Sequence, residues 1–429
     1  MDFAKIRREE GPLFVKQNGD LPFFVMTLIL LAFGLVMLLS SSYVYAFYNT
    51  KENDSLYFFK RQLVFAISGI VMLFLVSHIN YRWYRRFATI GLIASWGLLA
   101  ICIFWPSEDE IKRFIYIGSF SFQPSEIAKI MIIFFCANKL DQNHQKMIST
   151  EVADAKWARR LREKTHIKLT QGTVTMFGYA IVILFTVGLV FAGSHLSGAI
   201  LIMLIGASML WMGEGRARWF GIAIIAIGLV VAFAVTDYEH LSVLGLKEYQ
   251  IDRVRAWLDK DFDPQGQRWQ INHSLYAFGS GGVLGEGFGN SKQKYLYIPE
   301  SHTDFIFSII GEELGFIGCL LLLVAFALLI LRGVYIGLHA SDRFGSLLAF
   351  GMVAQLGWQV VLNVAVVADI VPNTGIGLPF FSYGGTALWI TLMEMGVVLS
   401  VSAQANMPRV YSLKPKKRRA ARKAGEEAA

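Results

Sequence analysis

Pro22-Phe23-Phe24-Val25-Met26-Thr27-Leu28-Ile29-Leu30-Leu31-Ala32-Phe33-Gly34-Leu35-Val36-Met37-Leu38-Leu39 opens a run, 22–45, without one charged side chain. A helix rises about 1.5 Å per residue, so such a run reaches across a hydrocarbon core of about 30 Å. It is long enough to span and has no convincing small-residue cleavage site behind it, so it is expected to stay attached as a first membrane helix. Nine comparable runs follow at 60–79, 87–105, 122–140, 173–193, 196–212, 217–236, 304–331, 344–369 and 380–402. Only 17% of the 429 residues are charged, against about 25% in a soluble domain. The expected fold is an all-α integral membrane protein of ten transmembrane helices. A segment 1–21 precedes the membrane domain, 22–402, and a basic tail, 403–429, follows it.

Lys and Arg orient the chain. With 1–21 in the cytoplasm, 27 of the 40 basic residues fall on the inner side, 12 on the outer side, and Lys129 within a span. Cytoplasmic loops carry the excess of positive charge, so both termini are expected in the cytoplasm. The reverse orientation would expose Arg82, Arg85, Arg86 and Lys416-Lys417-Arg418-Arg419 outside. The net charge of +8 sits at the edges of apolar runs and in the tail, where anionic headgroups meet it, and is read as no sign of nucleic-acid binding. Cys102, Cys136 and Cys319 all lie in apolar runs and read as packing residues. Two connections are long. The cytoplasmic loop 141–172 holds Val152, Trp157 and Leu161 among basic residues, either a basic interfacial helix or a solvated linker. The extracytoplasmic loop 237–303, between helices 7 and 8, is a candidate functional surface.

Charge inside a span is costly unless paired or facing a cavity, so each instance marks a candidate site. The fourth span opens Gln123-Pro124-Ser125-Glu126-Ile127-Ala128-Lys129, where Glu126 and Lys129, three apart, share a face and can pair. The eighth opens at Thr303-Asp304 and carries Gly311-Glu312-Glu313-Leu314-Gly315. Glu312 lies eight residues from Asp304, about two helical turns, which predicts a line of acid running inward; the competing reading packs Glu312 and Glu313 against Lys129 or Arg113. The tenth opens at Gly377-Leu378-Pro379-Phe380-Phe381-Ser382-Tyr383-Gly384-Gly385-Thr386, either an irregular backbone lining a cavity, with Ser382 and Tyr383 as its polar side chains, or a plain re-entrant turn. The glycines from Gly279 to Gly289 lack the Gly-Lys-Ser/Thr of a phosphate-binding loop.

These motifs, together with Asp263-Pro264, Gly279-Ser280-Gly281-Gly282, and Pro299-Glu300 with His302-Thr303-Asp304-Phe305-Ile306-Phe307, resemble the SEDS family (FtsW, RodA and SpoVE), ten-span enzymes that polymerise bacterial cell-wall glycan. Gly287-Phe288-Gly289-Asn290-Ser291-Lys292-Gln293-Lys294 is similar to the division-type pattern. The sequence departs from the family at His195-Leu196-Ser197-Gly198, at Trp269-Gln270-Ile271-Asn272-His273-Ser274, and at Glu394. The resemblance implies a bacterial cytoplasmic-membrane enzyme that transfers a disaccharide-peptide between lipid II molecules at the outer face, releasing undecaprenyl pyrophosphate. A base must then take the proton of the attacking hydroxyl, and cations must stabilise the leaving group. Asp304 is the candidate base, with His302 beside it. Arg253, Arg255 and Lys129 are candidates for the pyrophosphate, and Glu126, His302, Glu312, Ser382 and Tyr383 for substrate binding. A divalent cation, Mg or Mn, is the cofactor left open. A class B penicillin-binding protein is the implied partner, with other division or elongation membrane proteins. The rival readings are a transporter (flippase) of the lipid-linked precursor and a structural scaffold.

Overall fold

Among the described residues, ten long helices stand where the ten apolar runs lie: α1 Leu21–Asn49, α2 Tyr57–His78, α3 Tyr84–Phe104, α4 Pro124–Gln142, α5 Gln171–Ala192, α6 Leu196–Met212, α7 Ala217–Thr236, α8 Ile306–Leu338, α9 Arg343–Val367 and α10 Gly385–Ala403. The computed structural model describes residues 12–14, 19–50, 53–105, 113–117, 120–153, 155, 169–236, 248–266 and 268–405. Seven of the ten are long and apolar enough by themselves to cross a membrane, while α6 and the Ala217–Ala226 part of α7 are apolar but shorter. The remaining one, α4, carries Glu126, Lys129, Lys139 and Asp141. The chain is an all-α, multi-pass membrane protein. A short antiparallel pair, β1 Ile115–Ile117 and β2 Phe120–Phe122, precedes α4.

The helix ends follow local chemistry. Asp20 caps α1 by accepting from the Phe23 amide at 3.0 Å and pairs with Arg332 of α8 at 2.7 Å. α8 continues past Leu331, the expected end of its span, and this ion pair stands where the charge-free run of the helix ends. Asp342 caps α9 through the Gly345 amide at 2.8 Å and holds Arg82 at 2.9 Å. An oxygen acceptor at these positions satisfies amides that have no partner within the helix.

α9 and α10 form the centre. α9 packs on α4, α6, α8 and α10, and α10 packs most extensively on α2. The apolar window of α10 is 78% buried, against 22% for α5, so α10 is wrapped by protein and α5 faces outward. The three cysteines are buried and unbridged.

α8 is broken at Gly315, whose φ of 68° and ψ of −169° are not helical. The carbonyls of Glu312 and Glu313 accept from the amides of Glu286 and Gly287 at 2.9 and 3.0 Å. Beyond the break, the Phe316 and Ile317 amides donate to the Gly282 and Val283 carbonyls at 2.9 and 3.1 Å. A glycine-rich segment of the long loop thus supplies the hydrogen bonds that the helix gives up, a requirement wherever water is absent. At Gly285 (φ 82°) a Cβ would lie 2.2 Å from the Glu313 carbonyl oxygen, and at Gly315 a Cβ would lie 2.3 Å from the Gly285 nitrogen. Only glycine permits the two backbones to meet.

The described part of the loop after α7 contains two short helices, Glu248–Leu258 and Trp269–Gly281. Residues 237–247 of it lie outside the described residues. So does 156–168, on which the interfacial-helix reading of Trp157 and Leu161 falls; Val152 bridges Thr170. Of the tail, 406–429 also lie outside.

Candidate functional site

A cavity of about 590 Å³ lies where the start of α4, the start of α6, the helix Glu248–Leu258 and the turns 300–304 and 373–385 converge. Its charged lining comprises Arg113, Lys129, Arg253, Glu126, Glu300 and Asp304. Each arrives on a different local logic.

Pro124 fits the first turn of α4, where its missing amide proton costs nothing. The three-residue spacing that follows brings Lys129 Nζ to 2.9 Å from Glu126 Oε2, with both side chains buried. The expected pairing is present, and it compensates both charges at the cavity wall.

Asp304 lies in the turn before α8. Its surface is half-buried, yet protein surrounds it in depth, as at the floor of a cleft. Burial first, then the neighbouring Glu300 carboxylate, push its pKa up to about 6 against the pull of Arg113 and Arg253. The Asn363 amide group fixes the turn by donating to the Asp304 carbonyl at 2.8 Å and to the Ile376 carbonyl at 2.6 Å. At Gly375 (φ 70°) a Cβ would come within 3.0 Å of Asp304 Oδ2, so glycine is what lets this segment pass the carboxylate. Asp304 does not cap α8, whose N-cap residue is Phe305 and has no side-chain capping bond.

Ser382 and Tyr383 line the same cavity. The Ser382 hydroxyl donates to the Thr303 carbonyl and accepts from the Leu378 amide, both at 2.6 Å, and the Tyr383 amide donates to the His302 carbonyl at 2.9 Å. Residues 368–384 are irregular, with Phe380 at φ 67°, so the stretch before α10 is the cavity-lining backbone rather than a plain turn. His302 itself is buried away from the cavity, its ring against Phe58 at 4.4 Å and Tyr45 at 4.7 Å. Burial holds its pKa down at about 4, with Glu300 opposing, so the ring is neutral at pH 7.

The position of His302, outside the lining, corrects its expected part in substrate binding, and two further expectations are corrected. Arg253 lines the cavity and donates to the Asn373 carbonyl at 3.2 Å, but Arg255 lies over the Phe262 ring at 4.3 Å, outside the lining. Both belong to the helix Glu248–Leu258, where residues two apart point to nearly opposite sides. Nor is there a line of acid from Asp304 to Glu312. The helix begins only at Ile306, so helical spacing does not apply across Asp304. Glu312 is fully buried outside the cavity, accepting from Ser291 Oγ at 2.5 Å, Ser280 Oγ at 3.3 Å, and the amides of Lys292 and Gln293 at 3.0 and 3.2 Å. Glu313 pairs with Lys294 at 2.8 Å and accepts from Ser40. These carboxylates anchor the loop, and their partners are neither Lys129 nor Arg113.

The fold also recruits residues for which the sequence suggested no site role. Arg113 sits just ahead of the β-pair that leads into the Gln123-Pro124-Ser125-Glu126 motif, and that proximity is the one signal that pointed to it. His195, one of the departures, lies on the wall with its Nδ1 at 3.0 Å from Ser125 Oγ. Burial, Arg113 and Lys129 lower its pKa to about 3, leaving a neutral ring beside the cations. Glu394 is buried in α10 and accepts from Gln355 Nε2 of α9, away from the lining.

The sequence model of the FtsW, RodA and SpoVE proteins, described as cell cycle protein, matches residues 21–407. A probable peptidoglycan glycosyltransferase FtsW of Geobacter metallireducens is 35% identical over 397 residues, covering 90% of this chain and 96% of that one. Stage V sporulation protein E of Bacillus subtilis is 36% identical over 396 residues, covering 90% and 98%. Among solved structures, a chain from a peptidoglycan synthase complex that coordinates polymerization and crosslinking superposes with a TM-score of 0.67 at 26% identity, covering 91% of this chain and 99% of that one. The rod shape determining protein RodA of Thermus thermophilus shares the fold, with a TM-score of 0.61 at 23% identity, over 90% and 98%.

Proposed function

Because the chain belongs to the SEDS family of FtsW, RodA and SpoVE proteins, we infer that it is a peptidoglycan glycosyltransferase acting on lipid II at the outer face of the cytoplasmic membrane. The observation that carries the reading is a carboxylate with a raised pKa, Asp304, facing Arg113, Arg253 and the Lys129–Glu126 pair across one cavity. A group with a pKa of about 6 is ionised at neutral pH yet remains basic enough to accept a proton in the transition state. Asp304 takes the proton of the attacking sugar hydroxyl as that oxygen bonds to the anomeric carbon of the second substrate. The bond from that carbon to the undecaprenyl pyrophosphate breaks, and Arg113 and Arg253, with Lys129 behind them, stabilise the charge that leaves.

Asp304 and Glu300 would hold a divalent cation, Mg or Mn, only with ligands from the substrate, since the described residues contain no group of three or more His, Cys, Asp or Glu placed as a metal site. The phosphate oxygens of lipid II are the natural complement. The asymmetry of Lys and Arg supports cytoplasmic termini and a cavity open to the outside. The role in division follows the naming of the FtsW relatives, and a class B penicillin-binding protein is the proposed partner, because a polymerase of this kind needs a separate crosslinking enzyme. The test is gel analysis of glycan made from lipid II by the purified protein, with and without that partner. Absence of polymer under both conditions, from folded protein, rejects the reading.

A further inference from the structure

The helix Trp269–Gly281 runs down beside the start of α8. Ser274 Oγ meets Ser308 Oγ at 2.7 Å, and further along, the Val283 carbonyl accepts from the Ile317 amide at 3.1 Å. The chain then turns and climbs back, through the Glu286 amide on the Glu312 carbonyl at 2.9 Å and Lys294 on Glu313 at 2.8 Å. The segment is a hairpin laid along α8, its tip at Val283 and Leu284.

Its depth can be read from α8. Between Glu313 and Arg332, residues 314–331 are free of charge, a length of about 27 Å at 1.5 Å per residue, close to the thickness of the hydrocarbon core. The hydrocarbon therefore begins near Leu314. The tip, bonded to Phe316 and Ile317, lies just inside that boundary. Val283, Leu284 and Phe288 are 63%, 77% and 54% exposed, and they continue the outward face of α8, where Phe316 is 64% exposed. The nearby tyrosines Tyr276, Tyr295 and Tyr297 are 59%, 58% and 48% exposed, and half-polar rings of this kind concentrate at the membrane–water interface. The backbone groups that meet α8 are those a lipid-exposed turn would need to satisfy internally.

We propose that the hairpin 279–289 is inserted in the acyl-chain layer of the leaflet on the side of Asp304, with Val283, Leu284 and Phe288 in direct contact with lipid, so that the long loop is a membrane-anchored element. The occupant is lipid rather than a second protein chain because the tip extends a helix face already turned outward at hydrocarbon depth.

The test is site-directed spin labelling of the full chain in lipid bilayers. Val283→Cys and Leu284→Cys carry the nitroxide at the tip, and Asn290→Cys carries it on the returning arm. The native cysteines are buried, and unsubstituted protein gives the background. The expected result is that oxygen, which partitions into acyl chains, relaxes the tip labels several-fold more than a water-soluble nickel chelate, with the preference reversed at 290. Greater access of the chelate at both tip positions would place the hairpin in water and overturn the proposal. Protection of both tip positions from both reagents would mean that protein covers the tip, which also overturns it. The readout does not involve polymerisation, so its outcome is independent of the proposed activity.

Discussion

Replacing Asp304 with Asn keeps the shape of the side chain and removes its capacity to accept a proton. The structure sets two magnitudes. As general base the carboxylate contributes on the order of 10²–10⁴-fold, so polymerisation by Asp304→Asn should fall at least about 100-fold. Stability should behave differently. The pKa is raised from 3.8 to about 6, so the fold favours the neutral form; this contribution is complete below pH 3.8 and is lost as pH rises through about 6. At neutral pH the ionised carboxylate is a burden of up to about 3 kcal/mol, from about 1.4 kcal/mol per pKa unit, reduced by whatever water fills the cleft. The uncharged Asn should therefore accumulate and melt at least as well as the parent. The wild-type pH profile carries the same sign: activity requires the deprotonated base, so kcat/KM should rise about tenfold between pH 5 and pH 7 and flatten above, as a group of pKa about 6 dictates. The assay is the initial rate of glycan formation from lipid II, with protein level and melting temperature measured on the same preparation. A near-normal rate for Asp304→Asn would refute the assignment and direct attention to Glu300, which shares the cavity, and not to Glu312, which is sealed. Failure of the variant to accumulate would instead make the carboxylate structural, although a helix-capping role is already excluded by the geometry.

Single replacements Glu126→Gln and Lys129→Met should each lower thermal stability in detergent by about 3–5 kcal/mol, the cost of leaving a buried charge unpaired, and the double variant should lose less than the sum; strictly additive losses would show that the pair is not coupled. Arg253→Ala should raise KM for lipid II while Arg255→Ala leaves it within about twofold, because Arg255 lies over Phe262 and outside the cavity lining; equal effects would mean that Arg255 reaches the substrate. Glu312→Ala strips acceptors from two hydroxyls and two amides, so faster hydrogen exchange across 286–294 is expected, at a cost of about 1–3 kcal/mol for the buried groups left unsatisfied; unchanged exchange there would deny it the anchoring role. A reporter fused after residue 429 should read cytoplasmic and one within 265–295 external; an external tail would reject the ten-span topology.

Sequence alone determined what local physics controls. Uncharged runs of membrane length became helices because a chain that leaves water must bond its own backbone. Pro124 opened α4, and the i,i+3 spacing paired Glu126 with Lys129, since neither outcome needs a distant neighbour. Asp304 was legible as a carboxylate beside an apolar run, and Arg253 as a charge in a loop. Their meeting was not, because Asp304, Arg253, Arg113 and His195 come from four separate segments that only packing brings to one wall. The fate of Arg255 turned on a helical segment within the long loop and that of Glu312 on donors some twenty residues upstream, so their charge looked the same in the sequence as that of the cavity residues. The break in α8 belongs to the same class. Gly315 could be noticed, but a helix leaves its path inside a membrane only where another backbone arrives to take up its hydrogen bonds, and that arrival is decided by the tertiary structure.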